Sequence, residues 1–380
     1  MKIDDKTSHN SPSLRFPEFT GEWKYFSIND VCSEFKSGKN IKADLISSNG
    51  NFPVYGGNGL RGYTSSYNHD GLYVLIGRQG ALCGNVRSVF GKIYITEHAI
   101  AVAGNEKSDT NFLHYLFLKM NLGQYSDQSA QPGLAVNKLL KLKVLLPSIS
   151  EQIKIAKLLS LLDERIAVQS RLIDRLQSLI KGINRTIFTG SGLEYSLCDV
   201  CEIRSGYSGN QLQGGKGLGV SRIETISAHN INLERIGYVA PFDASENYRL
   251  QVGDILFSNI NSVEYIGNTA FIDKDYNLYH GMNLLRLIPF RNVVVPFYLY
   301  ILLNTNRMLK HFKTICNKAV SQASINQKEL GKTIVMLPSL EKQKQVCNIY
   351  QAMYSKLKTE KDVLSFYQER KRYLLRHMFI

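Results

Sequence analysis

Cys198 and Cys201 form a C-x-x-C pair, the spacing at which two thiolates begin a zinc site. Such a site needs two more soft or imidazole ligands nearby, and Cys32, Cys83, Cys316 and Cys347 are scattered singly. The pair therefore reads as two buried thiols on a strand, and no metal is expected. Gly214-Gly215-Lys216-Gly217-Leu218-Gly219 superficially resembles a dinucleotide-binding loop, but no buried strand precedes it and no helix follows, so it reads as a flexible loop. Asp4-Asp5 are expected in a frayed terminus, and His69, His98, His114 and His280 stand alone in sequence. A phosphate-binding G-x-x-x-x-G-K-[ST] is absent. So are the glycine-rich loop and Asn/Asp-Pro-Pro-aromatic run of a DNA methyltransferase. No catalytic residue and no cofactor is expected, and the chain reads as not an enzyme on its own.

What must be positioned is therefore a binding surface. The 380 residues allow two or more domains, and 44% apolar with 21% charged residues is an ordinary folded composition. No apolar run is long enough to cross a bilayer, and Met1 to Trp23 lacks a signal-peptide core, so a cytoplasmic protein with no membrane contact is expected. The net charge of +14, with a pI near 9.3, favours a polyanionic partner, because each cation that meets a phosphate releases a counterion. A solvated basic surface would give the same composition.

The chain repeats itself. Pro147-Ser148-Ile149-Ser150-Glu151-Gln152 returns as Pro338-Ser339-Leu340-Glu341-Lys342-Gln343, 191 residues later. The same offset carries Gln131 to Gln322, Arg185 to Arg376 and Phe188 to Phe379. Earlier in each copy, Asp30-Val31-Cys32 with Ser37-Gly38 resembles Asp199-Val200-Cys201 with Ser205-Gly206, one residue slipped. This pairs Cys201 with Cys32, a repeated apolar strand position. Gly84-Asn85-Val86 parallels Gly267-Asn268-Thr269, and Phe112 and Tyr115 parallel Phe297 and Tyr300, each at the opening of a short amphipathic helix. Short runs such as Leu72–Ile76 and Asp254–Phe257, bounded by glycines and polar turns, are strand-like.

After each Pro-Ser the period becomes helical. Ile155, Leu159, Leu162, Ile166, Gln169, Ile173, Leu176, Ile180, Ile183 and Ile187 follow steps of four and three, and nine of the ten are Ile or Leu. The second copy gives Val346, Tyr350, Met353, Leu357, Glu360 and Leu364, then Tyr367, Lys371, Leu374 and Met378. Gln169 and Glu360 are the same repeat position, and a lone polar seam residue can fix register. A helix from Glu151 to Phe188 would be ~55 Å long. Two such stripes are most simply buried on one another, antiparallel. The expected fold is thus α+β: two strand-rich domains, at 1–150 and 190–340, separated by an antiparallel coiled coil of two long helices, at 151–189 and 341–380, as a pseudo-two-fold internal repeat.

These features, in order, resemble the specificity subunits of type I restriction–modification enzymes along nearly the whole chain. The resemblance rests on Leu14-Arg15-Phe16-Pro17-Glu18-Phe19 with Gly21-Glu22-Trp23, on Phe52-Pro53-Val54-Tyr55-Gly56 and on Leu75-Ile76-Gly77-Arg78 with Gly80. Ser129-Ala130-Gln131-Pro132 and the helix start running to Glu151-Gln152, Lys154-Ile155-Ala156 and Leu162-Asp163 complete it. The second helix start departs at Lys342 and Asn348, while Val252-Gly253-Asp254-Ile255-Leu256 and Ile266-Gly267-Asn268 look like a second variety of recognition domain.

The resemblance implies a DNA-binding subunit whose two target-recognition domains each read one half of an asymmetric, interrupted target. The helices would set the gap, with ~50 Å matching about 15 base pairs, and dock methyltransferase subunits, two of them. Restriction subunits would join through that complex. Candidate base readers are Asn58, Arg61, Arg78 and Gln79 in the first domain and Arg222, Asn230, Asn259 and Asn261 in the second, since arginine reads guanine and Asn or Gln reads adenine. Lys36, Lys39, Arg87, Lys216 and Lys318 are candidate phosphate contacts. Each of these is also an ordinary solvated loop residue. Two other functions stay open on sequence: a stand-alone DNA-binding scaffold or decoy, and a coiled-coil adaptor that binds protein only.

Overall fold

The computed structural model describes residues 10–80, 82–126, 133–187, 192–227, 229–318 and 322–380. Ser129 to Pro132 and Phe188 lie outside them. The chain divides into two units, Met1–Arg171 with Lys361–Ile380, and Leu172–Glu360. The division falls inside the long helices, Ile149–Ile187 and Leu340–His377, and not at their ends. Each unit holds the opening part of one helix and the closing part of the other. In the first unit the reason is visible. Ile155 and Leu159 from one helix, Leu374 from the other and Met378 and Phe379 just past its end join Trp23 and Phe112 in a single buried apolar cluster, with Phe379 stacked on Phe112 at 5.1 Å. Asp163 binds Lys371 at 2.5 Å and accepts from the Tyr115 hydroxyl at 2.9 Å.

The helical period sets which residues these helices bury. Ile155, Leu159, Gln169, Ile173 and Ile180 are buried, as are Val346, Tyr350, Leu357 and Glu360. Leu162, Ile166, Leu176, Met353 and Leu364 are half-buried.

The first unit carries a six-stranded sheet in the order Cys32–Ser37, Ala99–Gly104, His69–Gly77, Val86–Ile95, Phe52–Gly56, Gly59–Thr64. Every pairing is antiparallel except Phe52–Gly56 with Val86–Ile95. The second unit has a shorter four-stranded sheet, Cys201–Ser205, Leu285–Pro289, Ile255–Phe257, Thr269–Phe271, and a three-stranded one, Ile260–Asn261, Ala323–Ser324, Asn317–Lys318. A two-stranded ribbon pairs Leu218–Val220 with Gly237–Val239.

The repeat survives in hydrogen bonds where it is faint in sequence. Strand Lys24–Ser27 pairs with Lys143–Leu146 as Leu193–Ser196 pairs with Ile334–Leu337. The Ser27 and Ser196 backbone N–H groups donate to the Asp30 and Asp199 carboxylates at 2.9 and 3.0 Å, capping one-turn helices just before Cys32 and Cys201. The one-residue slip between Cys32–Ser37 and Cys201–Ser205 is a β-bulge between Cys32 and Glu34, which adds a residue to one strand without moving its neighbours. Of the C-x-x-C pair, Cys201 is buried and Cys198 is exposed on the preceding helical turn, Leu197–Val200. The expectation of two buried thiols on a strand is corrected there, because the helical turn Leu197–Val200 holds Cys198 and the strand begins only at Cys201.

Gln152 and Gln343 are the firmest link. Gln152 accepts from the Asp109 N–H and donates to the Lys107 and Pro147 carbonyls. Gln343 accepts from the Val295 N–H and donates to the Val293 and Pro338 carbonyls. Both side chains are buried. These bonds align Asp109 with Val295, so Phe112 matches Tyr298 and not Phe297, and Tyr115 matches Ile301. Burial agrees, with Phe112 at 0% and Tyr298 at 1%. The later helix, Pro296–Leu303, is also apolar nearly all round and not amphipathic, so its face could not fix the alignment from sequence. Substituting Gln343 by Ala leaves a buried N–H and two carbonyls unsatisfied and is expected to cost about 2–4 kcal/mol, read by urea denaturation of the full chain.

One histidine in each unit, half-buried His114 and buried His280, makes folding sensitive to acid. Burial, with a smaller contribution from the Lys371 charge, lowers His114 to about 4. Burial, outweighing the hydrogen bond to the Leu284 carbonyl, lowers His280 to about 4. The unfolded chain binds these protons first, so stability is intact above the ordinary imidazole value near 6.5 and falls as pH drops toward 4. The loss is on the order of 3 kcal/mol per histidine. Thermal melts from pH 7.5 to 4.5 check the sign.

Candidate nucleic-acid interface

In the first unit the site is built around the turn Gly56-Gly57-Asn58-Gly59, which joins strands Phe52–Gly56 and Gly59–Thr64. A Cβ on Gly57 would lie 2.7 Å from the His98 carbonyl oxygen and 3.3 Å from the Gly77 Cα, so the turn packs backbone to backbone against two other strand ends. Gly59, at φ +107°, lies beneath the Arg87 guanidinium, whose Cζ would be 3.0 Å from an added Cβ. Arg61 covers Gly56 in the same way. Asn58 stands exposed at the tip.

The neighbouring strand end supplies Arg78 and Gln79. Gln79 is exposed, with Oε1 3.0 Å from His98 Nδ1. Arg78 is half-buried, donating from Nη1 to Ser37 Oγ at 3.0 Å and from Nε to the Leu134 carbonyl at 3.4 Å. Its Nη2 is not engaged by either bond. Ser37 lies between Lys36 and Lys39, both exposed, with Lys36 3.2 Å from Glu34. Asn58, Arg61, Arg78, Gln79 and Arg87 thus gather about one glycine turn, while Lys36 and Lys39 flank Ser37 beside Arg78.

Sequence reasoning missed Glu97 and His98 at this corner. Glu97 Oε1 is 3.1 Å from His98 Nε2, and its second oxygen is buried without a hydrogen-bond partner. The available signal was the polar trio Thr96-Glu97-His98 between two apolar strands.

The second unit distributes its candidates over three places. Asn261 and Lys318 both lie opposite Ala323 in the small three-stranded sheet, next to Asn259. Lys216 and Arg222 flank the Leu218–Val220 ribbon, both exposed, with Arg222 3.5 Å from Glu224. Asn230 is exposed in a separate bend.

The repeat also relates the two units residue by residue. Leu134 N–H donates to the Arg78 carbonyl and Ile325 N–H to the Asn259 carbonyl, both at 2.9 Å. The side chains of Arg78 and Asn259 return a bond to those same residues' carbonyls, both at 3.4 Å. Arg78 and Asn259 therefore occupy one frame position, filled by unlike side chains. Lys36 corresponds to Arg204, which sequence reasoning did not select. Each follows a glutamate two residues earlier and pairs with it, Glu34 at 3.2 Å and Glu202 at 2.7 Å. Counting back from Ser37-Gly38 and Ser205-Gly206 would have found it.

Among the described residues no cluster of three His, Cys, Asp or Glu could hold a metal ion, and no helix is long and apolar enough to cross a membrane.

The family model described as Type I restriction modification DNA specificity domain matches residues 20–178 and again 193–365. The Type I restriction enzyme EcoprrI specificity subunit of Escherichia coli is 42% identical over 154 residues, 40% of this chain and 38% of that protein. The chain thus spans less than two fifths of the length of that curated relative. The crystal structure of a type I restriction–modification S subunit from M. genitalium has a similar fold, with a TM-score of 0.70 at 18% identity over 97% of this chain and 99% of that one. Two successive matches to one family model, covering the same two repeats that the hydrogen bonds define, place this chain in the type I restriction–modification DNA specificity family.

Proposed function

We propose that the chain is the DNA sequence-reading subunit of a type I restriction–modification complex, each strand-rich domain reading one half of an asymmetric bipartite target. The observation that supports this best is the gathering of Asn58, Arg61, Arg78, Gln79 and Arg87 about one glycine turn, with Lys36 and Lys39 flanking the serine that Arg78 binds, in a chain of net charge +14. Groups that donate to guanine and adenine edges lie there beside groups that neutralise phosphates. The unlike pair Arg78 and Asn259 at one frame position fits two different half-sites. In this proposal the long helices set the gap and dock two methyltransferase subunits. The restriction subunits join through that complex in the cytoplasm, and the chain itself contributes no chemistry.

Binding of a duplex by the full chain is expected to weaken steeply with salt, because counterion release dominates. Arg87→Ala or Lys36→Ala is expected to lower affinity evenly over all sequences and reduce the slope of log affinity against log salt by about 1. Arg61→Ala and Asn58→Ala are expected instead to relax one base pair, by ~1–3 kcal/mol. Fluorescence anisotropy on a set of single-pair variants separates the two outcomes. Affinity independent of salt would sink the proposal in favour of a protein-only adaptor. DNA binding without co-purification of a methyltransferase would leave a stand-alone binder.

A further inference from the structure

The second unit contains a cavity of about 600 Å³ that the reading surface described above does not use. One part of its wall is an aromatic pair, Tyr207 and Phe242, stacked with centroids 3.6 Å apart and 5° from parallel. Tyr248 stands edge-on to both. Polar groups line the rest, among them Ser205, Gln327, His280 and Arg286. Arg286 is 4% exposed and donates to Asp254 and to the Asn247 carbonyl, while its Nε is buried without a partner. His280 Nε2 meets the Leu284 carbonyl, so that nitrogen carries the proton and Nδ1 is left as an acceptor. Arg204 lines the same cavity, with Nε and Nη2 held by Glu202 and Nη1 engaged by neither bond.

The repeat identifies this place. Ser205 corresponds to Ser37, and in the first unit the Ser37 hydroxyl is taken by the Arg78 guanidinium. The second unit has the shorter Asn259 at that frame position, bonded to the Ile325 carbonyl. The Ser205 hydroxyl is left with only a 3.5 Å contact to Gln327. Where the first domain fills its strand ends with arginine, the second leaves a hollow.

We infer that this hollow receives a single nucleobase swung out of the bound duplex, held against the Tyr207–Phe242–Tyr248 aromatic wall with its edge toward Ser205, Gln327 and Arg286. The inference rests on the DNA-reading proposal. The chemistry favours a base over other ligands. A flat π-surface suits any base, the lining offers donors and an acceptor in place of a net cationic cage, and the volume falls in the ~300–1,000 Å³ range of small-ligand sites. The phosphate of such a nucleotide would stay outside, within reach of Arg204 at the rim.

An extruded base gives up its pairing, so weakening the pair beforehand helps. The test uses the full chain without methyltransferase and a duplex carrying the motif defined by methylome sequencing, with a mismatch placed at each position in turn. One mismatch in the half-site read by the second domain is expected to tighten binding about tenfold, while mismatches elsewhere weaken it or do nothing. Asn247→Trp, and separately Asp243→Trp, put bulk at the exposed cavity lining and are expected to abolish that gain with an unchanged melting temperature. Specific binding that every mismatch weakens or leaves alone would overturn the inference and leave the reading proposal intact. A tightening that survives both tryptophans would also overturn it. Loss of all sequence-specific binding would remove the reading proposal, and this inference with it.

Discussion

Replacing residues 25–135 with the same segment of a relative is expected to change one half of the methylated sequence and leave the other half as it was. Each wrong base pair costs ~1–3 kcal/mol, roughly additively, so a half-site wrong at three positions loses about 100-fold or more in affinity. The graft must preserve the contacts that seat the segment on the helices. Gln152 holds the segment through the backbone of Lys107 and Asp109, which any sequence supplies. Side-chain fit to the helices runs through the shared apolar cluster and includes Phe112, stacked on Phe379, and Tyr115, bonded to Asp163. A donor lacking an aromatic at the first position or a hydroxyl at the second should fold poorly, and restoring those two residues should rescue it. Methylome sequencing reads the result. Altered bases in both halves would mean that the domains do not read independently.

The helices were legible because a seam of period 3.5 over some forty residues has one simple solution, and Gln169 and Glu360 mark its polar interruption in both. The first-domain candidates could be chosen from sequence because arginine and asparagine beside paired glycines mark exposed polar turns between strands. The second-domain cavity was not. Tyr207, Phe242 with Tyr248, and Arg286 come from three separate segments, and none belongs to a local pattern. The alignment of Phe112 failed by one residue for a related reason. Its partner helix is apolar on every side, so sequence alone gave no face by which to register it, whereas Gln343 on a distant helix does so through two backbone bonds.

Arg286→Met is expected to be among the most destabilising single changes in the second domain. Asp254 and Arg286 are 3% and 4% exposed and 2.6 Å apart. Removing the arginine strands a buried carboxylate and should cost ~3–5 kcal/mol, lowering the melting temperature by about 10 °C or more for a unit of this size. Burial already outweighs the attraction of Arg286 and the Gln251 backbone bond, holding the Asp254 carboxyl above its usual range. A group raised in the folded state favours folding at low pH and loses that contribution as pH rises through its folded value. The variant should therefore regain stability relative to wild type as pH falls from 7 to 5. His280, lowered in the folded state chiefly by burial and in part by the Arg286 charge, is relieved by the same substitution and shifts the difference between variant and wild type in the same direction. Replacing both partners, Asp254→Leu with Arg286→Met, removes the uncompensated charge and should return stability to within about 1 kcal/mol of wild type. A single-variant cost below about 1 kcal/mol, or a double variant no better than the single, would show that the pair is hydrated in solution and not sealed within the domain.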